Sequence, residues 1–115
     1  SLHVEDLEGD LRRTWNAVKS RTSDGDSVSL SEVSEQLRDE SLAGGVAVGE
    51  ATLDSQVTAF VSTLFLTNRG YISLNQEEGH NGRIVLSDLW GGSEDYDALT
   101  EALHPRSEPM EAQNA

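Results

Sequence analysis

The sequence predicts a mainly α fold with a small antiparallel sheet (α+β), and three observations predict it. From Leu53, apolar residues recur at helical spacing until Asn68-Arg69-Gly70. Two short runs around a glycine-bearing turn then alternate apolar and polar residues. Two weaker helical ladders, with a strand-like run between them, precede the long helix.

In the first ladder, Val4, Leu7, Leu11, Trp15 and Val18 share one helical face, so a helix is expected over residues 4–20, with Trp15 in the core. Its acids fall early and its bases late, as the helix dipole favours. Gly9 within it costs about 1 kcal/mol against alanine. Thr22-Ser23-Asp24-Gly25-Asp26 reads as a turn, and Ser27-Val28-Ser29-Leu30 as a strand of one ladder. Ser31 is expected to open a second helix, with Val33 and Leu37 facing in, that ends near Glu40. Ser31 and Glu35 approach a capping pair, with the acid one place late for the strict box. Residues 41–52 carry three glycines and read as a flexible surface insertion, with Val46 and Val48 leaving open a short strand or a contact with another chain.

The long helix has Leu53, Val57, Phe60, Val61, Leu64 and Phe65 as its expected buried stripe. Asp54 or Ser55 can cap its start, and Gly70 can take the left-handed backbone that ends it. In the strands, Ile72 and Leu74 share one face of the first, and Ile84 and Leu86 one face of the second. Glu78-Gly79-His80-Asn81-Gly82 supplies the turn between them. Three helices with a β-hairpin wing make a winged helix, expected over residues 1–89. Residues 90–115 read as an acidic tail, with a short helix over 94–103 capped by Ser93 and disorder from Arg106. Trp90 can cap the core, the favoured reading, or meet a partner.

The chain carries 21 acidic residues against 8 basic ones, a formal charge of −13, and Lys19 is its single lysine. That balance repels nucleic acid and anionic membranes, since phosphate binding needs clustered Lys and Arg. It suits the surface of a protein from a very salty cytoplasm, where charge repulsion is screened. No cysteine is present, which excludes disulfides and thiolate chemistry. No apolar run has membrane length, and no leader pattern opens the chain, so a cytoplasmic location is expected. Ser1 in place of Met reads as a fragment of a longer protein.

Catalytic and metal sites find no support. Asp24-Gly25-Asp26 resembles a calcium loop only until its register is tested, when Arg21 falls on the first carboxylate position. Glu77, Glu78 and His80 lack a second histidine, and all three histidines fall in ends or turns. No catalytic residue, cofactor or metal is therefore expected. The third helix, which reads DNA in many winged helices, is expected to turn Ser55, Gln56, Ala59, Ser62, Thr63 and Leu66 outward, with Arg69 as its only base. A nearly uncharged face on so acidic a chain reads as one covered by another protein. The alternative is a winged-helix transcription regulator that binds DNA.

Val57 to Leu66, Asn68-Arg69-Gly70-Tyr71-Ile72-Ser73-Leu74-Asn75-Gln76-Glu77-Glu78 and Gly82-Arg83-Ile84-Val85-Leu86 together resemble the C-terminal domain of the kleisins. Val28-Ser29-Leu30-Ser31-Glu32 resembles the step that opens the family's second helix. The likeness covers about residues 5–87. It departs in the wing, where Gly79-His80-Asn81 replaces the usual proline and aromatic, and in the length of 41–52. The resemblance implies a winged helix that docks on the ATPase head of an SMC-family protein, helping to close a ring around DNA for chromosome condensation and segregation. It implies a nucleoid-associated location, ATP chemistry in the partner, and no direct DNA binding by this domain. It leaves a ScpB-like second partner open. Leu66, Tyr71, Ser73, Gln76 and Val85 are the head contacts that it suggests.

Overall fold

The computed structural model describes residues 4–22, 27–78, 83–90 and 95–103. The elements run α1 (Val4–Arg21), β1 (Val28–Ser29), α2 (Leu30–Ala43), α3 (Val48–Asn68), β2 (Ile72–Gln76), β3 (Ile84–Asp88) and α4 (Tyr96–Leu103). This is an α+β, winged-helix-like arrangement. α1 buries Leu11, Trp15 and Val18 as its ladder requires, with Thr14 and Ala17 beside them. Antiparallel pairing gives the strand order β1-β3-β2. Leu86 at the centre of β3 faces Val28 on one side and Leu74 on the other.

Helix ends account for most differences from the sequence reading. α2 starts one residue earlier than expected, because Ser29, not Ser31, is its cap. The Ser29 hydroxyl accepts from the Glu32 amide (3.1 Å), and the Ser29 amide donates to Glu32 Oε1 (2.9 Å). That is a complete capping box. Two helices end in the same left-handed motif. After α2, the Val46 amide donates to the Ser41 carbonyl and the Gly45 amide to the Leu42 carbonyl, with Gly45 at φ +97°. After α3, the Tyr71 amide donates to Leu66 and the Gly70 amide to Thr67, with Gly70 at φ +85°. Both are Schellman closures.

The expected flexible insertion at 41–52 is therefore mostly helix. α2 runs through Ala43 and α3 begins at Val48, which leaves 44–47 as the connection. Asp54 and Ser55 lie inside α3 and do not cap it. The Ser55 hydroxyl donates instead to the Ala51 carbonyl one turn back (2.6 Å).

The face that α3 buries is the reverse of the expected one. Ala51, Ser55, Ala59, Ser62, Thr63 and Leu66 pack inward, while Leu53, Val57, Phe60, Leu64 and Phe65 face out. Small residues at 51, 55, 59 and 62 let the helix lie against α1 and α2. A row of large side chains there would hold it away.

The boundary expected at residue 89 does not hold either. Tyr96 and Leu99 of α4 belong to the same hydrophobic cluster as Trp15 and Tyr71. α4 is thus the fourth helix of the domain. Asp95 caps it, its carboxylate accepting from the Ala98 amide (2.7 Å). The expected hairpin turn at 79–82, the cap at Ser93 and the tail from Arg106 lie outside the described residues.

Candidate protein-docking surface

With its small residues committed to the core, α3 must turn its large ones outward. Leu53 (65% exposed), Val57 (48%), Phe60 (46%) and Leu64 (46%) follow one another at steps of four, three and four. Phe65 lies beside this seam. A helix apolar on both sides is normally buried on both sides. An exposed apolar stripe on a chain this acidic is a candidate contact surface.

Two further large apolar side chains, Leu89 and Trp90, are exposed beyond β3. Trp90 does not close over the core as expected: it is 43% exposed, and Leu89 is more so. Its indole Nε1 donates to the Gly70 carbonyl at the end of α3 (2.8 Å), and its amide donates to Asp88 Oδ1 (3.0 Å). The other Asp88 oxygen accepts from Lys19 Nζ (2.7 Å). These bonds fix the ring's position while leaving about half of it open.

Charge at the seam is sparse and one-sided. Val48–Asn68 contains Glu50 and Asp54 and no Lys or Arg. Arg69, the base expected near a reading face, is occupied. Its guanidinium makes a two-pronged contact with Glu8, Nη2 to Oε2 at 2.8 Å and Nη1 to Oε1 at 3.3 Å. The Tyr96 hydroxyl donates to the same Glu8 carboxylate (2.8 Å). The Arg69 hydrogen bond holds the Glu8 carboxyl below its ordinary pKa, ahead of an opposing effect from burial. Burial, then the bond to Glu8, pushes the Tyr96 phenol up. This cluster ties α1, α3 and α4 together, and it removes the cation that phosphate contact by α3 would need.

Of the five contacts suggested by resemblance, three are core residues. Leu66 and Tyr71 have no exposed surface and Val85 is nearly buried. Leu66 and Tyr71 are held there by the Schellman closure of α3, whose bond runs between them. They are therefore not a docking face of the free domain. Ser73 is half-buried and Gln76 exposed, both on β2, apart from the α3 seam in sequence and element. The residues that sequence reasoning missed as surface are Leu53, Val57, Phe60 and Leu64, all taken for core.

A polar cleft of about 260 Å³ lies between α2 and α3, with Glu35, Arg38 and Gln56 on its walls. Among the described residues, no group of three or more His, Asp or Glu side chains could hold a metal ion, and no helix is long and apolar enough to cross a membrane. No family model, curated protein or solved structure matches the chain.

Proposed function

We propose that this chain is a non-catalytic protein-docking domain of the kleisin type, whose α3 seam seats on the ATPase head of an SMC-family protein. In that role it helps close a ring that condenses and segregates chromosomes, and the partner carries out the ATP chemistry. The observation that carries the docking reading is the outward seam of Leu53, Val57, Phe60 and Leu64 on a helix without a single cation. The choice of partner rests on the likeness of residues 57–78 to the kleisin C-terminal domain.

The DNA-reading alternative draws no support from this face. Side chains that bind phosphate or guanine edges are Arg and Lys, and the seam offers neither. The test is co-purification with an SMC head fragment. The wild-type chain is expected to retain the head, and Phe60→Asp combined with Leu64→Asp to release it. Salt-sensitive binding of duplex DNA by the chain alone, with no retention of the head, would reverse the assignment in favour of a transcription regulator.

A further inference from the structure

The order of side chains along the seam carries a second reading, independent of which heterologous partner the domain meets. Leu53, Val57, Phe60 and Leu64 are spaced four-three-four, and that spacing reads the same in both directions. A two-fold axis placed level with the step between Thr58 and Ala59 sets Leu53 of one copy against Leu64 of the other. The same axis sets Val57 against Phe60, a small side chain against a large one. A surface that maps onto itself in this way is what an isologous pair requires. The alternation of four and three is also the spacing at which two helices interlock near 20°.

We propose that, free of another partner, two copies of this chain pair antiparallel through their α3 seams. The electrostatics choose the antiparallel arrangement. In a parallel pair, Glu50, three residues before Leu53 on the same stripe, would face its own copy across the seam. In the antiparallel pair, Glu50 lies level with Thr67 of the other copy. At a rise of about 1.5 Å per residue, that separates the two Glu50 positions by roughly 25 Å along the axis. This exceeds the screening length of about 8 Å at physiological ionic strength. The seam itself carries no charge to bury. Its side chains and their immediate flanks, each about half exposed, would remove roughly 500–600 Å² per copy, or about 1,000–1,200 Å² in the pair. That sits at the lower end for a specific interface, so the pair is weak and reversible, and it competes with any other protein that uses the same face.

Sedimentation equilibrium of the whole chain tests this, at concentrations on the order of 0.1–1 mM where a weak pair populates. A monomer–dimer equilibrium is expected. Phe60→Asp and, separately, Leu53→Asp should each raise the dissociation constant at least about tenfold while leaving the far-ultraviolet circular dichroism unchanged. Because both side chains point outward, neither change disturbs the core. Potassium chloride should strengthen the dimer, since it screens repulsion between two acidic copies.

The chain has no cysteine, so a spin label at Asn68→Cys reads the orientation without background. The antiparallel pair places the two label positions roughly 28 Å apart along the axis, against about 10 Å for a parallel pair. A chain monomeric throughout, a dimer indifferent to both substitutions, a dimer weakened by salt, or a short label distance would each overturn the proposal. None of these results bears on retention of an SMC head, so the two readings can fail separately.

Discussion

Among single residues, Glu8 organises more of the molecule than its half-exposed position suggests. It accepts from Arg69 at the end of α3 and from Tyr96 at the start of α4. Its carboxyl is held below the ordinary value of 4.5, first by the Arg69 hydrogen bond. The stabilisation is therefore complete above that pH and disappears as pH falls through the lowered folded value. Glu8→Gln should cost less than about 1 kcal/mol at pH 7, since solvent screens the pair. Urea melts of wild type and variant should converge once pH falls below that lowered value, and a gap that persisted there would mean that the contact works through packing, not charge. The pair of Lys19 with Asp88 is more enclosed, with the Asp88 side chain only 6% exposed. Lys19→Ala leaves that carboxylate without its 2.7 Å cation and should cost about 1–3 kcal/mol in the same measurement. Thr63 presents the opposite case. Its buried hydroxyl has no hydrogen-bond partner, as is true of Thr14, Ser62 and Thr67. Thr63→Val keeps the shape and removes the unpaired group, so the urea midpoint is expected to rise, by about 1 kcal/mol of stability.

Elements show what the sequence could and could not specify. Glycine at two places in helical context leads to opposite expectations. Gly9 lies within α1 with open space where a Cβ would stand, and Gly9→Ala should stabilise by about 0.5–1 kcal/mol. Gly70 is equally open but stands at φ +85°, so Gly70→Ala should destabilise by about 1–2 kcal/mol through backbone strain alone. Thermal melts of the two variants should move in opposite directions. The stop after α3 was legible because Gly70 follows Asn68-Arg69, and the hairpin because Ile72, Leu74, Ile84 and Leu86 alternate. The α2 cap was present in the letters as Ser29-Leu30-Ser31-Glu32, a box two residues ahead of the pair chosen. The glycines of 41–52 read as a loop, yet Gly44 and Gly45 close one helix and Gly49 sits in the first turn of the next. The side of α3 was not legible. Periodicity locates a helix and its stripes, but Val48–Asn68 has a large apolar stripe and a small one, and both suit burial. Which faces the core depends on how near α1 and α2 must come, a tertiary condition that no local pattern contains.

At the scale of the whole molecule, the acidic surface and the apolar seam respond to salt in the same direction. The formal charge of −13 is spread over 115 residues, so self-repulsion opposes the folded state most strongly at low ionic strength. Exposed pairs such as Arg12 with Asp97 and Arg13 with Asp10 work the other way, but each contributes little and weakens with screening. With 21 acids against 8 bases, repulsion summed over the carboxylates exceeds the attraction of the pairs, so its relief outweighs their loss. Raising potassium chloride from about 0.1 M to 2 M shortens the screening length from roughly 10 Å to below 3 Å. The midpoint of thermal unfolding should rise by several degrees over that range, on the scale of about 4–8 °C per kcal/mol for a domain of this size. The Phe60→Asp variant separates the two contributions. If folding alone responds to salt, the rise survives in this variant at every protein concentration. If pairing of copies adds to it, the wild type gains a further, concentration-dependent increment that the variant lacks, because mass action stabilises only a chain that associates. An unfolding midpoint that fell with salt would place attractive ion pairs, not repulsion, in control of this surface.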